Sequence, residues 1–191
     1  MLRKTASLIC LLSTILVAPA QAADTSKDQL WAALASGKAF AIMRHALAPG
    51  TGDPAGFDVN ICTTQRNLSD EGRAQARRTG VRFRRNGIDA AMVYSSAWCR
   101  CTETAELLKL GPVRVLPSLN SFFQHRSQRQ LQTDELKAWL QAQPVDRPLV
   151  LVTHQVNITA LTGVFPSSGE IVFMHREADG SFVPLGSLPP Q

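Results

Sequence analysis

The chain carries a short apolar run, Phe40-Ala41-Ile42-Met43, that breaks off into Arg44-His45-Ala46. An uninterrupted apolar run of this length predicts a strand buried on both faces, as in a parallel sheet covered by helices. The loop Ala48-Pro49-Gly50-Thr51-Gly52-Asp53-Pro54 stops the strand. Arg44 and His45 therefore fall at its carboxyl end, the edge at which open α/β sheets bind ligands. Two later stretches repeat the arrangement. Met92-Val93-Tyr94 runs into Ser95-Ser96 and then Arg100, and Leu149-Val150-Leu151-Val152 runs into Thr153-His154. The expectation is an α/β three-layer sandwich with a mostly parallel central sheet flanked by helices. Two histidines and two arginines would meet on one sheet edge.

The first 22 residues read as a segment that is removed. Arg3 and Lys4 form a basic start, Leu8 to Val17 an apolar centre, and Ala20-Gln21-Ala22 a small-residue cleavage site, the pattern of a secretory signal peptide cut after Ala22. The apolar centre is about 10 residues long where a membrane span needs about 20, so no stable membrane insertion is expected. The protein is expected to be periplasmic or secreted. Residues 23–191 are the size of one domain with a full core. The formal charge of +5 includes Arg3 and Lys4, so the remaining chain is only mildly basic. Three cysteines remain, Cys62, Cys99 and Cys101. In an oxidising compartment Cys62 is expected to pair with Cys99 or Cys101, because the latter two are too close in sequence to pair without strain. The one-residue gap in Cys99-Arg100-Cys101 does not suit a zinc ligand pair, and no metal site is expected.

Helices are expected at Asp24 to Gly37, from a cap at Ser69 to Asn86-Gly87, from Ser96 onward, at Gln130 to Gln143 with Leu131, Leu136, Trp139 and Leu140 in the core, and at Asn157 to Gly163. In the second, Gly72, Ala76, Gly80 and Phe83 form a small-residue face able to lie close against a sheet, and six arginines between Arg73 and Arg85 occupy the rest. A helix starting at Ser96 would point its N-terminal N–H groups at the sheet edge. Val113 to Leu116 is a further strand, and Glu170 to His175 with Ser181 to Leu185 forms a hairpin at the sheet margin around Asp179-Gly180.

A phosphoryl group needs its charge neutralised and a nucleophile placed behind phosphorus. Arginine meets phosphate oxygens two at a time, and neutral imidazole can form a covalent intermediate. A single histidine carries little weight, and His125 and His175 are read as structural. Neither a nucleotide loop of the Gly-x-x-x-x-Gly-Lys type nor a nucleic-acid motif occurs, so no nucleic-acid partner is expected.

Met-Arg-His at the first strand end, Ser-Ser with Arg100 and Glu103-Thr104-Ala105, Thr-His at a late strand end, and Leu68-Ser69-Asp70-Glu71-Gly72-Arg73-Ala74-Gln75-Ala76 together resemble the histidine phosphatase superfamily. The resemblance covers Ala39 to Gly163. It implies a phosphohistidine-forming nucleophile at His45, with Arg44, Arg100 and His154 clamping the phosphoryl oxygens and no cofactor. Glu103 falls in the family's Arg-x-x-Glu-Thr pattern, and its spacing from Arg100 predicts an ion pair that orients the arginine. The family's usual Arg-His-Gly is Arg-His-Ala here, so the turn after His45 is expected to differ slightly. The segment from Leu107 through Thr133 contains no Asp or Glu, although mutase-like relatives place their acid there. The proton donor is therefore sought in the loop after His45, with Asp53 favoured over Asp58 and His125. The reading is an exported phosphatase acting on phosphorylated small molecules or an envelope glycan. The alternatives are a non-catalytic phosphate-binding module of the same fold and a phosphomutase.

Overall fold

In the computed structural model, residues 26–144 and 146–191 are described. Residues 1–22, the expected signal peptide, lie outside them. The elements in order are α1 (Lys27–Ala35), β1 (Ala39–Arg44), α2 (Asp70–Arg85), β2 (Met92–Ser95), α3 (Cys99–Leu108), β3 (Val113–Val115), α4 (Arg129–Gln141), β4 (Leu149–Thr153), α5 (Gln155–Thr162), β5 (Ile171–Arg176) and β6 (Phe182–Leu188). They form one six-stranded sheet in the order β3-β2-β4-β1-β5-β6. The first four strands pair in parallel, and β5 and β6 add antiparallel strands at one margin.

The apolar run of β1 is buried on both faces because successive side chains alternate across the sheet. Ala41 and Met43 join Trp31, Leu34, Phe83, Cys101 and Leu108 in one core. Phe40 and Ile42 join Leu136, Leu140, Leu151 and Ile158 in the other. Helices α1, α2 and α3 thus cover one face and α4 and α5 the opposite one, the expected three layers. Leu131, expected in the core, is 59% exposed: it sits in the first turn of α4, off the face that carries Leu136 and Leu140.

Ser69 caps α2 by accepting from the Gly72 N–H at 3.1 Å, and Asp70 and Glu71 occupy its first turn, where the helix dipole favours acids. On its small-residue face Phe83 packs against the sheet core, whereas the two glycines meet backbone. A Cβ at Gly72 would lie 2.0 Å from the Leu47 carbonyl oxygen, and one at Gly80 2.3 Å from that of Leu108. The two glycines let α2 press onto the loop beyond β1 and onto the end of α3. The hairpin β5–β6 turns at Gly180, whose φ is +83°.

Parallel pairing sets the site. Arg44 is in register with Thr153, so His45 and His154, each the next residue, leave adjacent strands side by side. Ser95 is in register with Val152, which brings the start of the β2–α3 connection to the same edge. The His45 N–H donates to the Thr153 carbonyl at 2.9 Å and the Ser96 N–H to that of Val152 at 3.0 Å, continuing the ladder past the last strand residues.

Candidate active site

The strand ends open into a cavity of about 270 Å³ lined by Arg44, His45, Asp53, Arg66, Trp98, Arg100 and His154, with Phe123, Gln155 and Phe165 among the residues farther out. His45 and His154 are buried and their rings lie 5.6 Å apart, edge to face. His45 Nδ1 lies 2.8 Å from the Ala46 carbonyl. An imidazole donating from Nδ1 keeps its lone pair on Nε2. Burial first, then the charge of Arg100, push the His45 pKa well below the ordinary histidine value, against the opposing Ala46 hydrogen bond. His154 is pushed the same way by burial, Arg100 and His45. Both rings are therefore neutral at neutral pH.

Ala46 does not take a left-handed backbone; Lys109 is the one non-glycine residue that does so among the described residues. The glycine usual at this position is therefore not required by φ. The Ala46 side chain is buried, and its N–H donates to Thr104 Oγ1 at 3.0 Å. Thr104 in turn donates to the Arg100 carbonyl at 2.6 Å. This joins the turn after His45 to the helix that carries Arg100.

His154 is oriented by Ser96, whose Oγ lies 2.9 Å from Nε2. Asn120 completes the support: its Oδ1 accepts from Ser96 Oγ at 3.3 Å and from the Ala97 N–H at 2.8 Å. The Asn120 carbonyl accepts from Asn157 Nδ2 at 2.8 Å and from Gln132. Helix α3 begins at Cys99, three residues later than expected. The N–H groups of Ala97, Trp98 and Cys99 are taken by Asn120, Ser96 and Gln65, so these donors do not face the cavity as an N-terminal anion site would require.

Three arginines reach the cavity where two were expected. Arg44 donates from Nη1 to the Pro166 carbonyl at 3.1 Å. Arg66 binds the loop after His45, donating from Nε to the Gly52 carbonyl at 2.7 Å and from Nη1 to that of Ala48. Burial, then the charge of Arg100, lower the Arg66 pKa to about 10, which leaves it a cation at neutral pH. Arg66 was missed by the sequence reading. The signal was its position just before the Leu68-Ser69 helix start, but only the return of the loop reveals where it points. Trp98 and Asn120 escaped for the same reason.

The partner of Arg100 is Asp53, not Glu103. Arg100 runs inward, its side chain 3% exposed, and meets Asp53 at 2.6 Å. Glu103 is one-third exposed and pairs with Arg73 of α2 at 2.6 Å. Residues three apart on a helix are neighbours at the backbone, but a long side chain that dives into the core leaves the other behind. Asp53 also accepts from Trp98 Nε1 at 3.0 Å and the Arg66 N–H at 3.2 Å. Burial pushes its carboxyl up, but the hydrogen bonds and charge of Arg100, with the two further donors, outweigh this and hold the pKa below the usual carboxylate value. Asp53 thus lines the cavity as expected, but as an ionised group, which is poorly suited to giving a proton. Asp58 turns away, its Oδ1 accepting from the Asn60 backbone and side chain, and His125 lies outside the cavity lining. His175 Nδ1 lies 2.8 Å from the Lys38 carbonyl, at the end of β1 opposite the site.

Cys62 and Cys99 form the disulfide, which ties the loop to the start of α3. Cys101 is buried in no disulfide, and burial pushes its thiol up to about 12. Among the described residues no group of three or more His, Cys, Asp or Glu is placed to hold a metal ion, and no helix is long and apolar enough to cross a membrane.

Two neutral histidines and three guanidinium groups thus gather at one sheet edge, a lining whose charge suits an oxyanion. The sequence model of the histidine phosphatase superfamily (branch 1) matches residues 42–148, and the chain belongs to that superfamily. Solved structures share the fold. The protein histidine phosphatase SixA complexed with tungstate is 17% identical with a TM-score of 0.57, covering 79% of this chain and 96% of SixA. The mycobacterial glucosyl-3-phosphoglycerate phosphatase Rv2419c with inorganic phosphate is 17% identical with a TM-score of 0.56, covering 77% of this chain and 94% of that one. The open reading frame Rv3214 from Mycobacterium tuberculosis is 18% identical with a TM-score of 0.55, covering 76% and 94%. No curated protein sequence matches the chain.

Proposed function

We propose that this protein is an exported phosphatase that works through a phosphohistidine on His45. The observation that carries the reading is the bond from His45 Nδ1 to the Ala46 carbonyl, which aims an unprotonated Nε2 into a cavity lined by Arg44, Arg66 and Arg100. A binding module needs the guanidinium groups but gains nothing from an anchored, neutral imidazole among them.

In the first step the Nε2 lone pair forms a bond to phosphorus and the bond from phosphorus to the leaving atom breaks, its electron pair departing with the leaving group. The arginines hold the phosphoryl oxygens as charge develops on them, with His154 packed beside Arg100 Nη2. Water then attacks phosphorus, the N–P bond breaks, and inorganic phosphate leaves with His45 restored. Asp53 is the one carboxylate among the described residues lining the cavity, and it is ion-paired. Substrates whose leaving group departs without a proton, such as a phosphohistidine, an aryl phosphate or another activated phosphate, suit this site better than alkyl phosphates. The named activity of SixA towards a protein histidine is of this kind.

The signal-peptide pattern of residues 1–22 carries the export reading, and the Cys62–Cys99 disulfide supports it because such bonds persist in oxidising compartments. Phosphorylated small molecules and envelope glycans both occur at that location, and of these a small molecule with an activated phosphate suits the site better than the alkyl phosphate of a glycan. Assaying phosphate release from phosphoramidate, aryl, anhydride and alkyl phosphates tests the reading. Release from the first three, lost in His45→Ala, is expected; absence of release from all four contradicts it.

A further inference from the structure

Counting the donors of Arg100 reveals a division of labour within one guanidinium. Nη1 spends both hydrogens on protein oxygens, Asp53 Oδ1 at 2.6 Å and the Arg66 carbonyl at 3.2 Å. Nη2 gives one hydrogen to Asp53 Oδ2 at 3.1 Å, and its other approaches His154 Nδ1 only at 3.4 Å. Nε is buried and has no partner among the described residues. Leaving a buried donor of a charged group unpaired is costly, so its persistence calls for an acceptor. Nε and Nη2 share one edge of the planar group, and a guanidinium binds an oxyanion along such an edge with two parallel bonds.

We propose, on the basis of the phosphatase reading above, that Asp53 is a positioning residue: its carboxylate takes the outer end of the Arg100 guanidinium and leaves the Nε edge, beside His154, to hold the phosphoryl oxygens. Asp53 is itself held at both oxygens. Oδ1 accepts from the Arg66 N–H and Oδ2 from Trp98 Nε1, besides the two Arg100 bonds. A side chain bonded four times cannot swing to a leaving oxygen, whereas it can hold a planar partner at a fixed angle. The loop geometry fits the same role. Gly52, immediately before Asp53, has a φ of +72°, a conformation that places the following carboxylate inward and that other residues resist. The Arg66 side chain secures the Gly52 carbonyl. The charged and titratable groups facing Asp53 are Arg100, Arg66 and, across the cavity, His45, His154 and Arg44.

The proposal separates from an acid role by leaving group and from the phosphatase reading by anion affinity. Asp53→Asn keeps the shape but loses the charge that pins the guanidinium. It is expected to weaken orthovanadate binding at least tenfold by calorimetry. It is also expected to lower kcat on an aryl phosphate by about 100-fold, the usual consequence of losing one aligned donor. Asp53→Glu should recover part of both. Trp98→Phe, which keeps Asp53 but removes one of its four bonds, should weaken vanadate binding by a smaller factor while the fold, followed by circular dichroism, persists. If Asp53→Asn binds vanadate and turns over the aryl phosphate within threefold of the parent, the positioning role is wrong. If only alkyl phosphates slow, Asp53 is the acid instead. Should Asp53→Asn fail to fold, unchanged vanadate affinity in Trp98→Phe overturns the proposal. A parent that binds vanadate without turning over any phosphate defeats the phosphatase reading and leaves the anion-binding comparison intact.

Discussion

His45 Nδ1 lies 2.8 Å from the carbonyl oxygen of Ala46, the residue that follows it and replaces the glycine usual in the family. The backbone at Ala46 keeps a negative φ and still presents its carbonyl to the ring, so the contact that fixes the nucleophile survives the substitution. Ala46→Gly should therefore change kcat by less than about threefold on an aryl phosphate. A large gain would mean that the alanine impairs the turn.

The buried histidines make a prediction about pH. Both are held well below the ordinary histidine pKa of 6.5 in the folded chain, while in the unfolded chain they titrate near it. The unfolded state thus binds more protons as pH falls. Their contribution to stability is complete above about pH 6.5 and is lost progressively below it, at up to about 1.4 kcal/mol per ring per pH unit. Urea unfolding at about pH 7.5 and pH 5.5 measures this directly, and stability is expected to be lower at pH 5.5. The same neutrality should keep kcat/KM level down to below pH 6. An acid limb centred near pH 6.5 would show that the nucleophile titrates as an ordinary imidazole.

Gly72 and Gly80 make contrasting predictions. Each allows backbone contact at which a Cβ would collide, Gly80 with the Leu108 carbonyl and Gly72 with that of Leu47. Gly80→Ala should cost about 2 kcal/mol by forcing α2 from α3 and leave the folded enzyme active. Gly72→Ala should cost a similar amount and also lower kcat, because Leu47 lies two residues from His45. Equal activities in the two variants would dissociate the α2 contact from the site.

Reducing the Cys62–Cys99 bond opens a loop spanning 37 residues, and the chain-entropy model gives a loss of about 4 kcal/mol. The Cys62→Ser/Cys99→Ser variant should melt well below the parent. Its activity should also fall, since Cys99 precedes Arg100 and Cys62 lies on the segment between His45 and α2 that also carries Asp53 and Arg66. A melting temperature unaffected by reductant would show that the bond contributes nothing.

Much of this site was legible in the sequence because it depends on strand ends. An apolar run that stops at a charged pair places that pair, and Ser69 followed by Asp70-Glu71 announces a helix start; both follow from local chemistry. The partners of Arg100 were not legible. Helical spacing favoured Glu103, but Arg100 turns into the core and meets Asp53, 47 residues earlier in the chain. Arg66 and Trp98 join the site for the same nonlocal reason: the long loop after His45 folds back across the sheet edge, and no periodicity encodes its path. Leu131 failed in the opposite direction, since an apolar residue at a helix start need not face inward. For the same reason Glu103→Gln should lower activity by less than about threefold, its ion pair with Arg73 being one-third exposed and of the kind that contributes little.

The central claim is that phosphate passes through His45. Rapid base quench of the enzyme during turnover of an aryl phosphate, which preserves the N–P bond, followed by peptide mass spectrometry, tests it most directly. A phosphate labile to acid, stable to base and confined to the peptide containing His45 is expected, and none in His45→Ala. Turnover without such a species, or the phosphate on another residue, would contradict it.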